Sequence, residues 1–113
     1  MMEEINDKQS DTELIHTVLG GNRDEFRCLV RKYQNQVFAM IRRQVNNNPV
    51  AEDLTQETFL RAFKGLKSFD HRASFSTWLI RIALNTTSTY FSSAQYKKQR
   101  LTNNYCNASV GNG

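Results

Sequence analysis

The chain has 113 residues and a formal net charge of +4, and 39% of its residues are hydrophobic. This length suits one small domain, and no apolar run approaches the roughly 20 residues that a membrane-spanning helix needs. The isolated cysteines Cys28 and Cys106 argue against a disulfide framework and no signal-peptide pattern is visible, so we expect a cytoplasmic protein without membrane insertion.

The first predicted element is a short helix that follows a polar, flexible N-terminus, residues 1–9. Ser10 and Glu13 have the spacing of a capping box, in which each side chain bonds the backbone N–H of the other residue. Apolar residues then recur at helical spacing until Gly20, which favours a helix end. The helical domain is therefore predicted to begin at residue 10.

The longest periodic segment forms the second predicted helix. Asn22 and Glu25 give it similar start chemistry, with Asn in place of the usual Ser or Thr. Apolar side chains then recur every three or four positions from Phe26 to Val45. The asparagines that follow, together with Pro49, are predicted to end the helix.

A third helix is predicted over residues 49–67. Pro49 suits its first turn, where a missing N–H costs nothing, and Asn48 is the predicted N-cap. A loop, residues 68–74, leads to a fourth helix that is expected to end somewhere in residues 91–98.

The fourth helix has an unusual composition. It contains a run of five poor helix formers, residues 85–89, of the sequence NTTST. We interpret this run as a face that contacts something other than the core. Trp78 belongs to the apolar stripe of the same helix, which begins at Phe75. Trp78 is either the core anchor or an exposed ring, and Phe75 is either a hydrophobic staple or a stacking surface.

The predicted fold class is all-α, a compact bundle of about four helices, because no segment alternates as a strand does and the connections are short. The helical domain is expected to cover residues 10–96. Residues 97–113 are predicted to be a basic segment and the start of a linker, forming a disordered or extended tail.

The sequence offers no plausible enzyme site. No Gly-rich loop precedes a helix, and no serine, histidine and acid arrangement or cluster of inward carboxylates is visible. Neither Cys28 nor Cys106 has a second ligand at metal-binding spacing. We therefore expect no catalysis, no cofactor and no metal.

A polar strip lies on the third helix. Asp53, Gln56 and Glu57 follow the spacing i, i+3, i+4 and therefore share one face, while apolar neighbours point to the core. This strip suits a basic helix of a protein partner. The alternative is that its carboxylates only complement the helix dipole and solvate the surface.

The charge distribution predicts a polyanionic partner. Residues 1–60 have seven basic and ten acidic side chains, whereas residues 61–113 have eight basic ones and only Asp70 acidic. The basic half combines cations for phosphates, short polar groups and aromatic rings, as single-stranded DNA binding requires. The candidate DNA-binding residues are Phe69, Arg72, Ser74, Phe75, Ser76, Trp78, Arg81, Asn85, Ser88, Thr89, Lys97 and Lys98.

Three motifs in order resemble region 2 of a bacterial sigma factor of the extracytoplasmic-function (ECF) class. They are AEDLTQETFLRAFKGLKSF, ASFSTWLIRIALNT and the weaker GNRDEFRCLVRKYQNQVFAMI, and the likeness covers about residues 10–96. The resemblance implies a helical domain that docks on RNA polymerase core enzyme and opens promoter DNA without a cofactor.

The resemblance also implies residue roles. Asp53, Gln56 and Glu57 match the surface that binds the clamp helices of the polymerase β′ subunit. The loop 68–74 matches the part that captures a flipped base of the minus-ten non-template strand. Trp78 matches a position used in strand opening, and Asn85 matches one near the upstream minus-ten bases.

The chain departs from the family pattern in three places. Trp78-Leu79 replaces the two adjacent tryptophans of housekeeping sigma factors, which implies weaker melting and stricter promoter choice. Thr89 and Ser92 stand where many ECF members have Asp and Arg, which leaves the base preference open. The helix-turn-helix domain that reads the minus-thirty-five element is not in the sequence, and we expect a truncated chain.

The sequence therefore predicts a transcription initiation factor that binds core polymerase and recognises and melts the minus-ten element. An anti-sigma protein is an expected further partner. Two alternatives stay open: a helical protein-interaction module without DNA activity, and a weaker one, a double-stranded DNA-binding repressor.

Overall fold

A computed structural model describes residues 10–93, which form four α-helices, two short 3₁₀ turns and no strand. The all-α prediction is confirmed for this part of the chain. The predictions for residues 1–9 and 97–113, including Lys97 and Lys98, lie outside the described residues. In chain order the elements are α1 (Asp11–Leu19), a 3₁₀ turn (Arg23–Glu25), α2 (Phe26–Val45), α3 (Asn48–Gly65), a second 3₁₀ turn (Leu66–Ser68) and α4 (Phe75–Ser92).

The predicted capping box begins α1. The Glu13 backbone N–H donates to Ser10 Oγ at 3.1 Å, and the Ser10 N–H donates to Glu13 Oε1 at 3.3 Å. The N–H of Gly20 closes the helix on the carbonyl of His16 at 2.9 Å. Gly21 then turns the chain at φ +121°, a conformation that L side chains rarely adopt.

The start of α2 differs from the prediction. Asn22 does not cap an α-helix; it precedes the 3₁₀ turn Arg23–Glu25, and its side chain makes no capping hydrogen bond. The α-helix begins only at Phe26 and ends at Val45, as predicted. The 3₁₀ turn shortens the connection from α1, since its residues rise only about 2 Å each, less than in extended chain.

The cap of α3 is Asn47, so the prediction of Asn48 was wrong by one residue. Asn46 ends α2 in the left-handed conformation (φ 53°), which leaves Asn47 extended and able to cap. Asn47 Oδ1 accepts from the Val50 N–H at 3.0 Å. Asn48 instead occupies the first helical position, where its Oδ1 accepts from the Arg42 guanidinium.

The core lies between α2, α3 and α4, and α1 packs against α2 and the two 3₁₀ turns. No helix among residues 10–93 combines the length and hydropathy needed to cross a membrane, and every buried side-chain nitrogen or oxygen in this range has a partner. The largest fully buried apolar side chains are Leu14, Ile15, Leu29, Val37, Ile41, Leu66 and Leu79.

Two of the weak helix formers in α4 belong to this core, which corrects the interpretation of the 85–89 run. Thr86 and Thr87 are buried, and their hydroxyls donate to the carbonyls of Ile82 at 2.7 Å and Ala83 at 2.9 Å. Back-bonding to the preceding turn satisfies each hydroxyl inside the helix, so both residues pack as small β-branched side chains.

Candidate functional site

The acidic strip of Asp53, Gln56 and Glu57 is accessible on α3. Asp53 and Gln56 are exposed, and Glu57 is partly exposed, with its Oε2 2.9 Å from Arg61 Nε one turn later. Leu54 on the same helix is buried. The strip therefore forms an outward surface of the bundle.

An apolar groove, which the sequence reasoning missed, runs beside the acidic strip between α2 and α3. It has a volume of about 360 Å³, and Gln56 of the strip forms part of its wall. Leu60 lines it while remaining 47% exposed. Its sequence signal was a leucine one turn after Gln56, on the polar face of the helix. The other lining residues are Phe26, Val30, Gln34, Thr55, Phe59 and Phe63.

A second cavity, the loop pocket, lies where α1 meets the segment between α3 and α4, and its volume is about 290 Å³. His71 turns the loop at φ 65°, and its ring contacts that of Phe69 at 4.5 Å between centroids. The Asp70 Oδ1 accepts the Arg72 N–H at 3.1 Å, which fixes the turn. The lining residues are Asp11, Thr12, Ile15, Phe69, His71, Arg72, Ala73, Ser74 and Phe75.

Phe69 and Phe75 are only 8% and 3% exposed, and this burial argues against their predicted role as stacking surfaces for bases. Their rings pack edge-on at 6.0 Å, and each contacts the half-buried ring of Trp78, at 5.0 Å and 5.7 Å. Both phenylalanines therefore support Trp78 from the core. Trp78 itself both packs and keeps part of its ring accessible.

The predicted polar residues of α4 form one exposed face. Arg81, Asn85, Ser88 and Thr89 are all exposed, and their spacing of i, i+4, i+7 and i+8 aligns them along the helix below Trp78. We call this surface the α4 face. It combines one cation with three short hydrogen-bonding groups, which suits contact with a nucleic-acid strand.

The remaining predicted DNA-binding residues are divided between the loop and the cap of α4. Arg72 is exposed, and its guanidinium lies 3.3 Å from Asp70. Ser74 Oγ accepts the Thr77 N–H at 3.1 Å and lies 3.2 Å from Ser76 Oγ. The hydroxyl of Ser74 therefore caps α4, and half-buried Ser76 points away from the α4 face.

The cysteine that the structure describes, Cys28, is not set up as a nucleophile. Burial and the hydrogen bond from its thiol to Glu25 at 3.3 Å raise the pKa of Cys28, which keeps the thiol protonated. Among residues 10–93 there is no group of three or more His, Cys, Asp or Glu side chains placed to hold a metal ion.

Asp11 and Thr12 were also missed by the sequence reasoning. They line the loop pocket although about sixty residues separate them from its other wall. Nothing in the local sequence signals this, because Asp11 also reads as an ordinary acidic residue in the first turn of a helix.

Comparison with known proteins identifies the family. The Sigma-70 region 2 family matches residues 29–96. The chain is 38% identical over 81 residues to the ECF RNA polymerase sigma-E factor of Haemophilus influenzae and 36% identical over 83 residues to the RNA polymerase sigma-H factor of Pseudomonas aeruginosa. These matches cover 72% and 74% of this chain but 42% and 43% of the relatives, so the chain spans less than half of their length.

This chain is also similar to a solved structure, which is a complex with the oligonucleotide GTAAAA. It is an NMR structure of an engineered region 2 of sigmaE in complex with GTAAAA, 37% identical, with a TM-score of 0.73 over 80% of this chain and 94% of that one. The resemblance to ECF region 2 that the motifs predict is thereby confirmed. The chain belongs to the Sigma-70 region 2 family.

Proposed function

We propose that this chain acts in transcription initiation as the region 2 domain of an ECF sigma factor. In this role it binds core RNA polymerase and recognises and melts the promoter minus-ten element through the single-stranded non-template strand. The observation that carries the proposal is the fold shared with a sigmaE region 2 bound to GTAAAA, together with an open loop pocket beside an exposed, polar α4 face. The proposed role involves no catalysis and takes place in the cytoplasm.

The DNA side of the proposal rests on the loop pocket, Trp78 and the α4 face. A base that leaves the duplex loses stacking worth a few kcal/mol, and a pocket plus an aromatic ring offsets this loss by about 1–3 kcal/mol per base. Arg81 and Arg72 supply exposed cations for the backbone phosphates. Melting then follows from binding the open strand more tightly than the closed duplex.

Strand preference tests the DNA side. With core polymerase present, we expect the chain to bind single-stranded minus-ten non-template DNA more tightly than its complement, measured by fluorescence anisotropy at moderate salt. The complement is the matched control, because it has the same length and charge. Equal binding to both strands would favour the protein-interaction module.

The polymerase side rests on the acidic strip. Asp53 and Glu57 present carboxylates at the surface beside an apolar groove, a combination that suits a basic, amphipathic helix. We assign the β′ clamp helices as the partner of this strip. An anti-sigma protein that covers the strip and the α4 face would block both activities.

Charge reversal tests the polymerase side. We expect the Asp53→Lys, Glu57→Lys double variant to bind core polymerase at least about tenfold more weakly, since juxtaposed like charges cost several kcal/mol. Its helicity by circular dichroism should be unchanged, because the partly exposed Glu57–Arg61 pair at the surface contributes little to stability. Asp24→Lys, at an exposed position outside the strip, is the control; unchanged polymerase binding by the double variant, or loss of its helicity, contradicts the assignment.

The groove favours one second candidate function, a helical interaction module. Exposed Leu60 and the apolar walls around it fit a partner helix with or without DNA nearby. This module would keep polymerase or regulator binding and would show no strand preference, so the anisotropy comparison distinguishes the two functions.

A further inference from the structure

The Asp11 carboxylate in the wall of the loop pocket is held by two hydrogen bonds to another helix. Its Oδ1 lies 2.7 Å from Lys32 Nζ, and its Oδ2 accepts from the Tyr33 hydroxyl at 2.5 Å. Both partners come from α2, more than twenty residues along the chain. The side chain of Asp11 keeps 21% of its surface exposed, so it is fixed in place and still reachable from the pocket.

The two partners of Asp11 are both hydrogen-bond donors. Lys32 donates to one oxygen, and the ring of Tyr33 is itself fixed by a contact with Phe75 at 5.7 Å. Burial and the Asp11 carboxylate raise the pKa of Tyr33, so its hydroxyl stays protonated and continues to donate at neutral pH. A charged carboxylate has about four lone-pair sites and Lys32 and Tyr33 occupy two, which leaves acceptor capacity on each oxygen.

This acceptor discriminates between bases by chemistry. Cytosine and adenine carry a hydrogen-bond-donating amino group at ring positions 4 and 6, whereas thymine and guanine present a carbonyl oxygen at these positions. A carboxylate attracts the amino group and repels the carbonyl oxygen. Lys32 offsets the negative charge of Asp11, so the carboxylate does not by itself repel the approaching strand.

We propose that Asp11 is a specificity-determining residue of the loop pocket, which selects an unpaired base with an amino group at ring position 4 or 6, cytosine or adenine, over thymine. This inference rests on the proposed function, because it takes the pocket as the site of the flipped base. Tyr33 is a positioning residue in the same proposal, since it acts on the base only by holding the Asp11 carboxylate.

The test uses the full chain and single-stranded GTAAAA as the probe, with each position of the hexamer replaced in turn by the other three bases. Binding is followed by NMR titration or fluorescence anisotropy. At one position we expect the unaltered chain to prefer cytosine or adenine over thymine by at least about fivefold, the lower end of what a good base contact contributes. Asp11→Asn should abolish this preference, because an amide can also donate to the thymine carbonyl.

Two variants serve as controls. Asp24→Asn makes the same change of charge at an exposed position outside the pocket, and it should keep the base preference. Tyr33→Phe retains the ring packing but removes the hydrogen bond that positions Oδ2 of Asp11. It should therefore reduce the base preference while the circular dichroism spectrum stays unchanged. If Asp11→Asn fails to fold, the base preference of Tyr33→Phe decides whether the assignment of Asp11 holds.

The outcomes separate this inference from the function on which it rests. Failure of the unaltered chain to distinguish any hexamer from oligothymidine contradicts the proposed DNA-binding function itself. Discrimination at some position that survives unchanged in folded Asp11→Asn, or in Tyr33→Phe, overturns only the assignment of Asp11. Loss of the preference in Asp24→Asn as well would assign it to overall charge and would also overturn the assignment.

Discussion

Thr87 shows how a poor helix former can suit a helix interior. It is only 1% exposed, and its hydroxyl is satisfied by the carbonyl of Ala83 in the preceding turn. That carbonyl also accepts a backbone N–H in the regular helix, so it would not lose its only partner if the hydroxyl were removed. The methyl group of the side chain is therefore expected to matter more for stability than the hydroxyl.

We predict opposite effects for two conservative changes at this position. Thr87→Val replaces the hydroxyl by a methyl group and should leave the free energy of unfolding unchanged or raise it by up to about 1 kcal/mol. Thr87→Ser keeps the hydroxyl and removes a buried methyl group, which should lower that free energy by about 1 kcal/mol. Urea unfolding measures both, and a larger loss in Thr87→Val than in Thr87→Ser would show that the hydroxyl is the stabilising group.

For single residues, the sequence predicts which chemical groups a surface offers better than it predicts which side chains are buried. Arg81, Asn85 and Ser88 were chosen from the sequence for their chemistry, and the structure places all three on one exposed helix face, as their helical spacing requires. The burial of Phe69 and Phe75 was not predictable in this way. Aromatic residues suit both a core and a base-stacking surface, and only the tertiary packing around Trp78 separates the two uses.

At the scale of the helices, some boundaries could be predicted from the sequence and others could not. The capping box of α1 was predictable because all its partners lie within four residues. The cap of α3 was not, since three successive asparagines offer equivalent side chains. The left-handed conformation of Asn46, which ends α2, determines which of them becomes extended and caps the next helix.

The cap assignment of α3 can be tested by a pair of substitutions. Asn47→Ala should lower the free energy of unfolding by about 1 kcal/mol, because the Val50 N–H loses its partner at the helix end. Asn48→Ala should cost less, since its bond with Arg42 is exposed and water replaces it. Thermal or urea unfolding measures the difference. An equal or greater loss of stability in Asn48→Ala would indicate that Asn48 is the cap, as the sequence predicts.

At the scale of the whole molecule, local patterns do not reveal what distant segments build together. The loop pocket joins the first turn of α1 to residues 69–75, and the bonds from Lys32 and Tyr33 to Asp11 fix that junction. The acidic strip, by contrast, lies within five residues of one helix and was predictable in full. The sequence therefore identified both surfaces but described only one of them completely.

The uneven charge of the chain predicts how the proposed DNA binding depends on salt. Each cation that neutralises a phosphate of a single strand releases counterions and contributes about 0.7 to the slope of log affinity against log salt. Arg81 is exposed on the α4 face, and the pairing of Arg72 with Asp70 at 3.3 Å is too exposed to hold it from a phosphate. Both arginines are therefore expected to contribute to the slope.

Removing one of these cations should change the slope by a fixed amount. We predict that Arg81→Ala and Arg72→Ala each reduce the magnitude of the slope for GTAAAA by about 0.7, measured by anisotropy between about 50 and 200 mM salt. Arg43→Ala, which removes an equally exposed cation near the end of α2, should leave the slope unchanged because a local contact, not net charge, determines it. A similar reduction in all three variants would mean that the strand senses only the overall charge of the protein, and the α4 face would then lose its assignment as the phosphate-binding surface.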